Sequence, residues 1–262
     1  MTATLITEWS ADTASKLYSD TGKTTLVADG GTVAAMVASA GSYVSSDMVQ
    51  SISGNRPTYR ANYSSSGYPA LEFDGTNDGM TAAHNAAWNS TDLTVLLVAT
   101  WIGGTTADRY ITGKSSSNSW SDAPAIVMSN ADSGKVTGGG TQYNDIKGLT
   151  FTNGAKYLLG LRLLTNRSQQ LFLNNVIWGS NVRTGSPATN STAWQINGGG
   201  AAGNFFCNIA FHMLQLWDGA MELDQWHSVL RTADVRWGVG AIAALSSSGG
   251  VRQVNVRGGA DQ

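Results

Sequence analysis

From Asp92 to Ile102 the chain carries Leu93, Val95, Leu97, Ala99 and Trp101 at alternate positions, with Leu96 and Val98 between them. Period-two spacing assigns these residues to the two faces of a strand. Because both faces are apolar, the strand must be covered on both sides. A chain built around such a strand needs one sheet packed on another, plus something that covers the outside.

The rest of the chain repeats the strand signal. Tyr157, Leu159, Leu161 and Leu163 share one face of Ala155 to Leu163, opposed by Lys156 and Arg162. Gln170 to Asn174 follows the turn Thr165-Asn166-Arg167-Ser168, which predicts a hairpin. Phe205, Cys207, Ile209, Phe211 and Met213 line one face of a long strand, and the phase then shifts to Leu214 and Leu216, which predicts a bulge. Shorter candidates are Thr4–Trp9, Asp47–Ile52, Ala70–Phe73, Arg109–Thr112, Ala125–Met128 and Ala193–Ile196. With 31 Gly and clusters of Ser and Asn between them, these read as strands joined by turns. So many strands without alternating helices favour an all-β sandwich. One helix is expected, Glu222 to about Val235, with Leu223, Trp226, Leu230 and Ala233 on one stripe. Glu222 and Asp224 sit in its first turn, and Trp237-Gly238 forms its exit. Residues 1–240 are read as one domain and 241–262 as a tail. In the tail, Val251, Arg252, Val254 and Val256 form a candidate assembly segment.

Composition narrows the function. Charged residues are only 13%, against roughly 25% in ordinary domains. Net charge is −2 with no basic block, so nucleic acid is not an expected partner. No apolar run approaches the ~20 residues of a membrane helix, and no signal peptide is visible, so synthesis in a cytoplasm without membrane insertion is expected. Cys207 is the single cysteine, which excludes an intrachain disulfide; its apolar setting reads as a packed thiol.

Three motifs touch chemistry. Glu72-Phe73-Asp74-Gly75-Thr76-Asn77 approaches the carboxylate array E-x-D-x-x-E of laminarinase-type glycosidases, but Asn77 replaces the acid/base that a retaining mechanism needs. No catalytic residue is therefore assigned. Asp74, Asn77 and Asp78 form either a hydrogen-bonded polar turn or a loose Ca²⁺ site; no other cofactor is expected. Trp120 and Tyr143 sit in polar loops and Trp194 follows another, so the three are candidates for stacking on sugar rings. His84, His212 and His227 fall on a loop, a strand and the helix, at spacings that match no metal motif.

Several of these pieces, in order, resemble one family. They are Trp9; Leu17-Tyr18-Ser19-Asp20 with Gly22; Arg56-Pro57-Thr58-Tyr59; Pro69 to Gly75 with Asp78; Leu171-Phe172-Leu173-Asn174-Asn175; and Leu216-Trp217-Asp218, the helix and Arg236-Trp237-Gly238. The chain from Thr4 to Gly240 resembles a LamG-type, concanavalin A-like jelly-roll domain, as found in bacterial and bacteriophage proteins. The resemblance implies two antiparallel sheets, one short helix, and non-covalent recognition of sugars or proteins rather than catalysis. With the low charge and the short tail, it leads to an expected virion structural protein, a capsid decoration or other exterior subunit. Its partners would be capsid or tail subunits, or further copies of itself, on the virion exterior. A carbohydrate-binding module that recognises a cell-surface glycan is the alternative, and a degenerate glycosidase-like domain is the third reading.

Overall fold

The computed structural model describes residues 2–43, 46–63, 67–103, 109–114, 124–129, 133–138, 144–146, 151–164, 168–174, 176–182, 191–198 and 206–240. Among these, the strands in chain order are β1 (Thr4–Ser10), β2 (Leu17–Tyr18), β3 (Ala35–Met36), β4 (Met48–Val49), β5 (Thr58–Tyr63) and β6 (Tyr68–Asp74). Then come β7 (Met80–Ala82), β8 (Leu93–Trp101), β9 (Arg109–Gly113), β10 (Pro124–Ser129), β11 (Ser133–Gly138) and β12 (Asn144–Ile146). The last are β13 (Lys156–Leu163), β14 (Ser168–Leu173), β15 (Val176–Val182), β16 (Trp194–Ile196) and β17 (Asn208–Asp218), followed by the helix α1 (Leu223–Trp237).

The strands form two antiparallel sheets, the jelly-roll sandwich expected. The first runs β15-β14-β13-β8-β17-β6-β5, with β1 also paired to β17; the second runs β12-β11-β10-β9-β16-β7-β4-β3-β2. Between them lies the main core. The alternation of β8 is realised there: Leu93, Val95, Leu97, Ala99 and Trp101 enter this core, while Leu96 and Val98 enter a second one on the far face of the first sheet. Trp9, Trp88 and Trp194 pack edge to face in the main core, with ring centres 6.0 and 6.1 Å apart.

The second core is the seat of α1. Met221, Trp226, Leu230, Ala233 and Trp237 close over Leu96, Val98, Leu158, Phe172 and Met213. Trp226 lies 4.4 Å from Phe172, centre to centre, and an added Cβ on Gly160 would fall 2.1 Å from the Trp226 ring. Glycine on β13 is what lets the indole reach the sheet. The polar residues of β13 hold the helix ends rather than facing solvent. Lys156 donates to the carbonyl of Trp237, and Arg162 lies 3.8 Å from Glu222 at the N-cap. A cation at a helix C-terminus complements the dipole. Burial also pushes the Lys156 ammonium down to about 8. The helix ends on Gly238 in the left-handed region (φ 56°), as Trp237-Gly238 predicted.

The predicted bulge in β17 exists, one residue earlier than expected. Pairing with β8 skips from Phe211 to Met213, so His212 is the extra residue and Met213 turns to the helix side. Here β17 also changes neighbours: Asn208 to Phe211 pair with β6, and Met213 to Asp218 pair with β1. The His212 ring is fully buried and packs on Trp237 at 5.3 Å. Its Nδ1 lies 2.7 Å from the Pro69 carbonyl and its Nε2 2.9 Å from Thr100 Oγ1. A carbonyl only accepts, so Nδ1 carries the proton and Thr100 donates to Nε2. Burial holds this imidazole neutral, its pKa pushed down to about 4.

Candidate functional site

The outer face of the second sheet differs from that of the first. On β16 and β7, Trp194 and Ile196 pair with Ala82 and Met80 and point into the core. Gln195 and Thr81, paired between them, point out and are half-buried. Val49 on β4 pairs with Thr81 and extends this outward row. Beside the row lies an open polar hollow of about 180 Å³. Gln50 and Asn55 reach it from the segment after β4, Asn77 from the β6–β7 crossover, and Phe206 from the approach to β17. Gly79 and Gly198 complete the lining; an added Cβ on Gly198 would fall 2.5 Å from Gln195 Oε1, so a side chain there would displace that amide.

The crossover that presents Asn77 is the segment read as a polar turn or a Ca²⁺ site, and its carboxylates are turned onto amides. Asp74 Oδ1 accepts from the backbone N–H groups of Thr76, Asn77 and Asp78 at 2.7, 3.2 and 3.4 Å. Asp78 Oδ2 accepts from the Asp74 N–H at 3.1 Å. Gly75 takes φ 73° here, with its Cα against Asn208. Asx side chains that bond nearby amides build turns without help from an ion. Among the described residues no group of three or more His, Cys, Asp or Glu is placed to hold a metal ion. Burial pushes the Asp78 carboxyl up to about 6, with the charges of Asp74 and Glu72 adding to the shift.

The two carboxylates of the glycosidase-like array each have a local partner. Glu72 pairs with Arg60 at 2.7 Å, and Asp74 caps the turn. Gln50 donates to the Gly79 carbonyl at 2.7 Å and accepts from the Ile52 N–H at 3.0 Å, so it frames the hollow as well as lining it.

Trp194 needs correction as a sugar-stacking candidate. It is fully buried and donates from Nε1 to Thr112 Oγ1 at 2.9 Å. The reason is strand alternation: placing residues 193–196 on a strand between two apolar positions aims Gln195 outward and Trp194 inward. Trp120 and Tyr143 lie outside the described residues, as do Val251, Arg252, Val254 and Val256. Gln50, Asn55, Thr81, Gln195 and Phe206 escaped the reading of the sequence. Phe206 carried a signal, because inward Cys207 and Ile209 require its ring to alternate outward.

A second hollow of about 180 Å³ runs between β1, β17 and α1, lined by Leu5, Met213, Trp217 and Val229. Its wall residue Arg236 is held by both Asp12 oxygens at 2.6 and 2.7 Å and by Glu8 at 3.1 Å. This is the seam that fastens the helix to β1.

No protein-family model matches the sequence, and no curated protein matches it. Solved structures match the fold. A sialidase of Trypanosoma rangeli is 13% identical with a TM-score of 0.60, over 88% of this chain and 33% of the sialidase. Domain 4 of AbnA, an extracellular arabinanase of Geobacillus stearothermophilus in complex with arabinotriose, is 14% identical with a TM-score of 0.60. That match covers 88% of this chain and the whole of the domain. The chain therefore spans about a third of the sialidase chains it matches. The shared architecture is a jelly-roll sandwich. These neighbours overturn the expectation of a virion structural subunit, capsid decoration included: the matching folds belong to carbohydrate-active proteins. The expectation rested on low charge, a short tail and family analogy, and none of these specifies a surface.

Proposed function

We propose that the chain is a non-catalytic carbohydrate-binding module, and that the hollow beside Gln195 is where it holds a sugar. The observation that carries this reading is the lining itself. Gln50, Asn55, Asn77 and Gln195 line one open depression together with the half-buried Phe206. Amides donate and accept, as sugar hydroxyls do, and an aromatic ring offers an apolar surface to the C–H face of a sugar. The fold supports the reading, since the arabinanase domain of the same architecture is described with arabinotriose bound. The engagement of Glu72 by Arg60 and of Asp74 by turn amides, with Asn77 in place of a third carboxylate, supports binding without bond cleavage.

Titration calorimetry of the full chain against arabinotriose and other oligosaccharides tests it. Saturable binding is expected in the wild type and at least about tenfold weaker binding in Phe206→Ala, with no reducing sugar released. Sugar release by the wild type, lost in Glu72→Gln, would instead make the chain a hydrolase.

A further inference from the structure

We infer that the hollow selects neutral sugar residues and turns away acidic ones. This rests on the carbohydrate-binding reading and adds the chemical class of ligand. Among the described residues that line it there is no Lys or Arg. The cations near it in sequence are engaged elsewhere. Arg56, next to Asn55, donates to the carbonyls of Gln50, Ser19 and Ser51 at 3.1, 3.2 and 3.3 Å. Arg60 is paired to Glu72. A sugar carboxylate entering here meets no cation among the described lining residues.

It also meets negative charge. Asn77 is presented by a turn that carries Asp74 and Asp78 on either side of it. The Asp78 carboxyl already resists ionisation, in part because of Asp74 and Glu72, so the local field is unfavourable to a further anion. A hydroxyl-rich neutral ring brings no charge to desolvate and can bond the amides directly. Pockets that enclose drug-sized ligands run ~300–1,000 Å³. At about 180 Å³ the hollow holds one sugar residue, with the rest of a chain leaving through its open mouth.

The test is titration of the full chain with two neutral trisaccharides, xylotriose and maltotriose, and with two acidic ones, trigalacturonate and sialyllactose. A neutral trisaccharide should bind at least about tenfold more tightly than either acidic one at low salt. Asn55→Arg should narrow or reverse that ratio, a gain for the acidic ligands that a merely structural role of Asn55 would not produce. Tight binding of trigalacturonate or sialyllactose by the wild type overturns the inference and leaves carbohydrate binding standing. Binding of no sugar at all overturns both. Neutral binding whose ratio to acidic binding Asn55→Arg does not move would place the selective site elsewhere and also overturn the inference.

Discussion

The two sheets share one core and treat their outer faces in opposite ways. The face of β8, β13 and β17 is apolar and sealed by α1, so that even its polar members, Lys156 and Arg162, are spent on the ends of the helix. The face of β4, β7 and β16 carries Val49, Thr81 and Gln195, and no helix covers that row among the described residues. The difference separates stability from recognition. A face closed by an indole seated on a glycine is tuned to one partner within its own chain. A face of half-buried amides around an open hollow has unspent hydrogen-bonding capacity, which is what an exchangeable ligand requires.

The comparison is broken most directly at Trp226. Truncating a buried Trp costs about 3–5 kcal/mol, so Trp226→Ala should lower the free energy of unfolding by that amount, read as a lower urea midpoint at unchanged slope, while the folded fraction keeps its sugar affinity. A cost below about 1 kcal/mol would mean that the helix is an ornament and not a second core.

Acid separates the two sides next, because each holds one group whose pKa is displaced to between about 4 and about 6. His212, on the sealed side, keeps a neutral ring down to about 4, while the unfolded chain is protonated near 6.5. Its contribution is whole above pH 6.5 and is lost as pH falls through about 4. Asp78, on the open side, has its carboxyl pushed from 3.8 to about 6. Its contribution is whole below about 3.8 and is lost as pH rises through about 6. At about 1.36 kcal/mol per pH unit, each is worth about 3 kcal/mol at most. Stability measured from pH 7 to 4 should therefore change little in the wild type below pH 6, where the two oppose. His212→Gln should leave a chain that gains stability on acidification. Asp78→Asn should be more stable than wild type at pH 7 and equal to it near pH 3.5. Parallel pH curves for wild type and both variants would contradict the assignment.

The sealed face was legible in the sequence and the open one was not. Leu96 and Val98 announced a second covered face, and the stripe through Trp226 and Leu230 announced its cover. Both signals are periodic and apolar, and burial rewards them in proportion to area. The open site is assembled from polar residues on four segments and Phe206 on a fifth, brought together by crossovers between the sheets, and polar residues in turns look alike in a sequence. Trp194 shows the cost of weighing residue type over position: an indole near polar loops suggested a ligand platform, although strand alternation assigned the outward place to Gln195. The phase change in β17 was legible, but it was read as following Met213, and His212 was not identified as its site or its cause. The ring bonds Pro69 and Thr100, which lie on neighbouring strands far away in the chain.

Gly160 sharpens the comparison at the sealed face. A methyl group there would meet the Trp226 ring, and that ring is fixed against Phe172 rather than free to swing. Overpacking of this kind costs about 1–3 kcal/mol. Gly160→Ala should therefore destabilise the wild type by that amount and the Trp226→Ala background by much less, since the clash needs both partners. Additive costs would show that the glycine serves the β13 backbone and not the indole.

The smallest stability effect belongs to the open face. Asn55 and Asn77 are half-buried and at the rim of the hollow, and no side-chain hydrogen bond of theirs ties one element to another among the described residues. Asn55→Ala and Asn77→Ala should each shift stability by no more than about 0.5 kcal/mol, as surface substitutions do. Sugar affinity should fall several-fold in both, because each removes an amide from the lining. A residue that matters to binding and not to folding is the signature of a recognition surface. If either variant unfolds the protein instead, the open face is a load-carrying part of the sandwich and the division between the two sheets is lost.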